Sequence, residues 1–314
     1  MRIGMNTKYN SILADLNRLS SEINKTQLKI SSGKNFLRPS DDPPATVLSI
    51  NYREGISRID KYTQAINDGL AFLRAQESTL GNVQDLIARA KVLAIQSVNA
   101  TNDANARYAI AKEINSIIHA ILSLANSQIG EKYIFGGKKT TGYPEGEMPF
   151  KLVKESLPNG QVIERVIYQG STQDFSIGYD VNMKMKLGES GQKIFMDCGL
   201  FETLIALKRT LEDNNAIDYK KEEYYIQNFV KKLDEIYNYI SAKRGEIGAK
   251  IDHFETKKYL YEDFKNTLQI NLGEVESADL SELAIKMKRL TIAYDAALRA
   301  TAMVAKLSLA NYLP

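Results

Sequence analysis

Between residues 12 and 30 the chain reads ILADLNRLSSEINKTQLKI. Ile12, Leu16, Leu19, Ile23, Thr26 and Ile30 recur in alternating steps of 4 and 3. That spacing holds one apolar edge in line along a coiled-coil helix. The far end of the chain repeats the pattern: Leu280, Leu283, Met287, Leu290, Tyr294, Ala297, Thr301 and Val304 advance in steps of 3 and 4. An isolated amphipathic helix of this length is marginal in water. The two terminal seams therefore have to pair with each other, with copies of the chain or with a partner. Alanines and threonines on and beside the second seam (Ala293, Ala297, Ala300, Thr301) permit close helix approach.

Working inward, Ser31-Ser32-Gly33 ends the first helix, since glycine takes the left-handed C′ conformation without strain. Asn35 to Pro44 reads as an irregular connector, because Pro39 biases Arg38 toward an extended backbone. Asp41-Asp42 has the look of a catalytic acid pair, but the following prolines favour helix capping, with Asp42 at the N-cap and Pro43 at the first helical position. A long helix is expected from Ala45 to Val98, with Ile59, Ile66, Leu73, Leu80, Ile87 and Ala94 recurring every seven residues. A helix of that length runs about 80 Å. Asn99 to Asn105 breaks it, and a third helix follows with Ile110, Ile114, Ile117, Ile121 and Leu124. Its counterpart, Tyr219 to Leu272, carries Ile226, Leu233, Ile240, Ile247, Phe254, Tyr261 and Leu268 at the same sevenfold spacing.

Between the long helices the pattern turns to β. Tyr133-Ile134-Phe135-Gly136-Gly137 reads as a strand entering a turn, Leu157-Pro158-Asn159-Gly160 as a hairpin turn, and Asp174 to Leu187 as a second hairpin. Gly188 to Gly191 reads as a loop, and helix resumes near Gly199. The expected fold is mainly α with a small β insertion: a long antiparallel helical rod or coiled-coil bundle formed by the N- and C-terminal segments, with a central β domain. Three divisions follow: 1–40 with 277–314 as a terminal coiled-coil layer, 41–140 with 199–276 as a long-helix rod, and 141–198 as a small outer β domain.

Composition removes several classes of function. Apolar residues make up 44% and charged residues 25% of 314, the balance of an ordered globular chain. The net charge of +3, with no aromatic-interleaved basic run, gives no footprint for nucleic acid. No apolar run is long enough to span a membrane. The start of the chain lacks the apolar core of a secretory signal. Residues 1–40 hold seven Lys or Arg against two acids, but a sustained heptad argues against a transit peptide. The single cysteine, Cys198, allows no intrachain disulfide, which suits the cytosol or an export route that avoids oxidising compartments. Gly136-Gly137-Lys138-Lys139-Thr140 lacks the first glycine of a phosphate loop and has Lys139 where Ser or Thr belongs. His119, His253 and Cys198 make no zinc-site spacing. No catalytic, cofactor or metal residues are assigned. An enzyme carried in residues 141–199 remains a separate hypothesis, weakened by the segment's shortness and its lack of paired acids or histidines.

The motifs carry a resemblance. Ser31-Ser32-Gly33-Lys34, then Pro39-Ser40-Asp41-Asp42-Pro43 and Ala45, resemble the SSGKRI-x-x-PSDDPA segment near the start of flagellins and hook-associated proteins. Leu93 to Thr101 (LAIQSVNAT) and Ala111 to Ile114 resemble that superfamily's next helical segments. Tyr133, Phe135, Gly136 and Gly137 resemble the Y-x-F-G-G turn of its junction type. Ala305 to Leu313 (AKLSLANYL) resembles the SLLDYL ending of that type, departing at Ala310-Asn311 and in the added Pro314. The likeness covers about three quarters of the chain; residues 141–199 carry no specific match.

The chain is thus identified as a member of the bacterial flagellin superfamily, of the hook–filament junction type, with filament flagellin as the alternative. The resemblance implies a non-enzymatic structural role at the extracellular hook–filament junction. It implies export by the flagellar type III apparatus and a dedicated chaperone on the C-terminal helix. The implied partners are copies of the chain in a ring, the other hook-associated junction protein, and flagellin. No nucleic acid, membrane insertion or cofactor is implied.

Overall fold

The computed structural model describes residues 2–97, 104–144, 146–156, 162–212 and 219–310. Helices α1 (Arg2–Ser32), α2 (Pro43–Ser97) and α3 (Ala104–Ala125) precede the strands. Strands β1 (Gln128–Ile129), β2 (Lys132–Tyr133), β3 (Phe150–Ser156), β4 (Val162–Tyr168), β5 (Phe175–Asp180) and β6 (Met183–Gly188) follow. A π-helical turn at Gln192–Met196 leads into α4 (Leu200–Glu212), α5 (Tyr219–Glu276) and α6 (Leu280–Ala310). The chain is mainly helical with small antiparallel strand pairs, as its periodicity predicts. The expected turn at Leu157–Gly160, most of the break at Asn99–Asn105 and the last residues of the chain lie outside the described residues; Ala104 and Asn105 already belong to α3.

Contacts divide the chain into two compact units. One comprises Met1–Ile59 with Glu262–Pro314; the other is Asp60–Tyr261.

The second unit holds the core. Ile66, Leu73, Leu80, Ile87 and Ala94 of α2 are buried, as are Ile226, Leu233, Ile240, Ile247, Phe254 and Tyr261 of α5. The sevenfold periodicity therefore marks the faces that pack. Arg74 pairs with Glu255 (2.6 Å), Arg244 with Glu77 (2.5 Å) and Lys91 with Asp234 (2.5 Å). Partners fall in α5 as α2 climbs, so the two helices run antiparallel. Helix α3 packs on α4, burying Ile114, Ile117, Ile118 and Ile121 on one side and Leu200, Leu204, Leu207 and Leu211 on the other.

Among the described residues the strands form three separate antiparallel pairs, β1–β2, β3–β4 and β5–β6. Helices and rings back these short ribbons individually. β3 lies on α3 and β4 on α4, while Tyr179 of β5 meets Phe254 of α5 at 5.3 Å between ring centres. Glu164 of β4 is ion-paired with the buried Lys208 of α4, which also donates to Asn115 at 3.2 Å. The Lys208 hydrogen bond holds the Glu164 carboxyl below its ordinary pKa, outweighing the opposite effect of burial, with Lys154 and the charge of both lysines adding to it. The pair therefore stabilises the fold above the ordinary carboxylate range, and the contribution fades as pH falls through the folded value. Glu164→Gln is expected to cost about 1–3 kcal/mol at neutral pH. In urea melts across an acid series, the gap from the wild type should close below the carboxylate range.

The Y-x-F-G-G segment is less a strand than predicted. β2 ends at Tyr133, and Ile134 and Phe135 turn inward, both buried. The chain then passes tightly under the loop after β4: Ser171 N donates to Gly136 O (2.9 Å) and Lys138 N to Gln173 O (2.8 Å). Gly137 has φ +62°, and a Cβ there would stand 2.1 Å from Ser171 O, so only glycine fits. The π-helical turn at Gln192–Met196 has no signature in the sequence, since Ile194 and Phe195 alone give no helical period.

Gly245 and Gly248 sit inside α5, where a Cβ would meet nothing within 4 Å. Glycine loosens a helix interior, so Gly245→Ala and Gly248→Ala are each expected to stabilise the isolated chain by about 0.5–1 kcal/mol. Chemical denaturation with an unchanged slope would confirm it.

Candidate assembly interface

The terminal seams lie together in the first unit, where α1 packs along α6. Gly33, at φ +67°, ends α1 as its position predicts. The connector that follows is bound to the α5–α6 break: Asn35 N donates to Glu276 O (2.8 Å), Ala278 N donates to Gly33 O (3.0 Å), and Lys34 bridges Ser277. Asp279 then caps α6, its Oδ1 accepting from Ser281 N (2.8 Å) and Glu282 N (3.1 Å). Burial acts to raise the pKa of the Glu276 carboxyl, but hydrogen bonds from Ser49 and Arg53 lower it overall, with further charge from Arg53 and Lys34.

The paired aspartates divide their work. Asp42 caps α2, its Oδ1 accepting from Ala45 N at 3.0 Å, and Pro43 is the first helical residue. Asp41 does not cap. Its Oδ2 accepts from Leu37 N and Arg38 N (both 3.2 Å), shaping the Pro39-Ser40 bend, and its Oδ1 accepts from Lys25 of α1 at 2.8 Å. The Lys25 hydrogen bond, helped by Leu37 N, holds its pKa down to about 2. Each acid thus has a local structural task, and neither needs a substrate. Asp42→Ala is expected to lower helix stability by about 1 kcal/mol. Hydrogen exchange over residues 43–50 should rise while that over 80–90 stays unchanged.

Ile12, Leu16, Leu19, Ile23 and Ile30 of α1 are only half-buried, as are Leu283, Met287, Leu290 and Tyr294 of α6. Leu280 is 54% exposed. Val304 belongs to α6, but its side chain is outside the described set. Thr26, at a seam position, is buried and returns its hydroxyl to Glu22 O (2.8 Å).

Every buried apolar side chain among the described residues lies within Asp60–Tyr261; the terminal unit has none. Its surface instead carries large apolar groups. On α6, Ile285 (56% exposed), Ile292 (61%) and Met303 (67%) form a line with Ala296, in steps of 7, 4 and 7. Ile285 and Ile292 stand two residues beyond Leu283 and Leu290, about 200° around the helix. α6 is therefore apolar on the side facing α1 and on the side facing away. Heptad spacing already held this second line; reading only the stronger stripe misses it.

Among the described residues no cluster of His, Cys, Asp and Glu could hold a metal ion. Burial pushes the Cys198 thiol up to about 11, and it donates to Ile194 O at 3.1 Å, the opposite of an activated nucleophile. The amide of Lys138 is already bonded to Gln173 O, so the double-glycine turn offers no phosphate cradle. Among the described residues no helix is long and apolar enough to cross a membrane.

Residues 3–140 match the bacterial flagellin N-terminal helical region. The likeness extends to hook-associated and FlgL proteins. Flagellar hook-associated protein 3 of Escherichia coli (strain K12) is 24% identical over 283 residues, covering 84% of each chain. The flagellar junction protein FlgL from Legionella pneumophila shares the fold, with a TM-score of 0.58 at 14% identity, over 73% of this chain and 99% of that one. Flagellin A of Vibrio anguillarum is 26% identical over 57% of this chain and 45% of its own. These relatives are structural proteins of the flagellum, not enzymes.

Proposed function

We propose that the chain is a structural adaptor of the bacterial flagellum, joining the hook, through the other hook-associated junction protein, to the flagellin filament. The observation that carries this reading is the terminal unit, which has no buried apolar side chain among its described residues and whose α6 is apolar on two sides. Such a unit reaches interior packing only when other chains cover it. In the assembly, 1–40 with 277–314 forms the inner layer, 41–140 with 199–276 the next, and 141–198 faces outward. Copies of the chain form a ring. Before export through the type III apparatus, a dedicated chaperone covers the C-terminal helix, whose exposed Ile292 and Met303 would otherwise drive aggregation. Deleting the gene should leave hooks intact while flagellin escapes into the medium; full-length filaments on the deletion strain would refute the adaptor.

The alternative, filament flagellin, draws support from the match over residues 3–140. The longer coverage of both partners in the hook-associated comparison favours the junction. Antibody label confined to the filament base is expected; label along its length would favour flagellin.

A further inference from the structure

The β5–β6 hairpin has an anomalous tip. Its two-residue loop is Val181-Asn182, with Asp180 opposite Met183. Asn182 suits its φ of +58°, a value asparagine tolerates. Val181 and Met183, however, are 57% and 53% exposed, where turns ordinarily place small or polar residues. The tip is also held in place. Lys257 pairs with Asp180 at 2.8 Å, Asp180 Oδ1 accepts from Val181 N at 2.7 Å, and Tyr261 Oη donates to Tyr179 O at 3.3 Å. An apolar knob fixed in advance loses little freedom on docking.

At the other end of the same hairpin lies a hollow of about 560 Å³. Phe72, Phe175, Ile177, Leu187 and the side chain of Ile129 form its apolar wall. Asp68 and Glu131 stand on its rim with Lys132. The rim is thus net acidic, while the tip carries the exposed Lys184 beside Met183. Polarity and charge complement one another, but the knob and the hollow sit at opposite ends of one ribbon. A two-fold dimer pairs a patch with itself, whereas a head-to-tail contact needs two different patches on every copy. This chain carries both.

We propose that the Val181–Met183 tip of one copy docks in the Phe72–Phe175–Leu187 hollow of a neighbouring copy, with Lys184 facing Asp68 and Glu131. The contact is heterologous and links copies in succession. It rests on the reading that the chain assembles with itself, and it adds which surfaces of the Asp60–Tyr261 unit meet.

The test uses the full chain as the only copy in flagellated cells, in a Cys198→Ser background, with Val181→Cys and Thr141→Cys; Thr141 lines the hollow. Flagella are isolated, oxidised and run without reductant. The double variant should give a ladder of multimers, and neither single variant should. Adding Lys184→Glu should reduce the ladder roughly tenfold, the size of one like-charge pair at an interface. Adding Glu131→Lys to that variant should restore it. An amine-reactive cross-linker on the same flagella separates the two readings. Multimers with that linker but no disulfide ladder would overturn the docking contact and leave self-assembly standing. No multimers with either, or no chain in the flagella, would overturn both. Equal cross-linking by the Val181→Cys single variant would replace the head-to-tail contact with tip-to-tip pairing.

Discussion

Phe150→Ala is expected to destabilise the Asp60–Tyr261 unit by about 3–5 kcal/mol. The ring is fully buried and meets three others: Tyr168 at 4.9 Å, Phe195 at 5.4 Å and Phe201 at 6.1 Å between centres. Little around it is free to collapse into the space. Asn126 clamps the backbone of Phe150 from both sides, accepting from its N–H and donating to its C=O, each at 2.9 Å. Gly191 lies so close beneath the ring that a Cβ there would stand 2.3 Å from it. Removing the ring therefore loses its transfer free energy and leaves a cavity, and both terms act in the same direction. With marginal total stability the expected loss is a large share of the whole. The chain has no tryptophan, so helical circular dichroism during urea unfolding is the suitable readout. The midpoint should fall with an unchanged slope. Leu280→Ala, at an exposed position, serves as the control and should stay within about 0.5 kcal/mol. A loss no larger than that control would show that the aromatic cluster is not what fixes β3 to the helices.

What the residues announced and what they concealed divide along a physical line. A seven-residue recurrence states which face of a helix is apolar, and in the second unit that face is the buried one, from Ile66 to Ala94 and from Ile226 to Tyr261. The end signals were legible for a related reason: Gly33 and Asp42 act on neighbours one to three residues away. Asp41 was harder, because its decisive partner, Lys25, lies 16 residues off and across a bend. How the strand pairs attach to the helices rests on long-range contacts such as Tyr179 to Phe254, which local alternation does not encode. The proposed assembly interface was half visible. Heptads gave Leu283, Met287 and Leu290 as a seam, but periodicity names a face and not its cover. Only solvent exposure shows that pairing with α1 leaves those residues half-buried and leaves Ile285, Ile292 and Met303 uncovered.

That uncovered line yields the sharpest separation of folding from assembly. Ile292→Asp is expected to leave the isolated chain nearly unchanged, within about 0.5 kcal/mol, because a side chain already 61% exposed gives up little on becoming charged. In the assembly the same carboxylate would be buried without a partner, at a cost of roughly 3–5 kcal/mol per subunit. At about 1.4 kcal/mol per tenfold, that weakens association by more than a hundredfold. Cells making the variant should carry hooks without filaments and shed flagellin, as a deletion would, while the purified protein melts like the wild type. Leu290→Asp supplies the contrast. Leu290 is half-buried on the side of α6 that faces α1, so this variant should lose terminal helicity in the monomer as well. If Ile292→Asp cells grew filaments of normal length, the outer face of α6 would be a solvated surface, and the terminal unit would have to be covered along some other side.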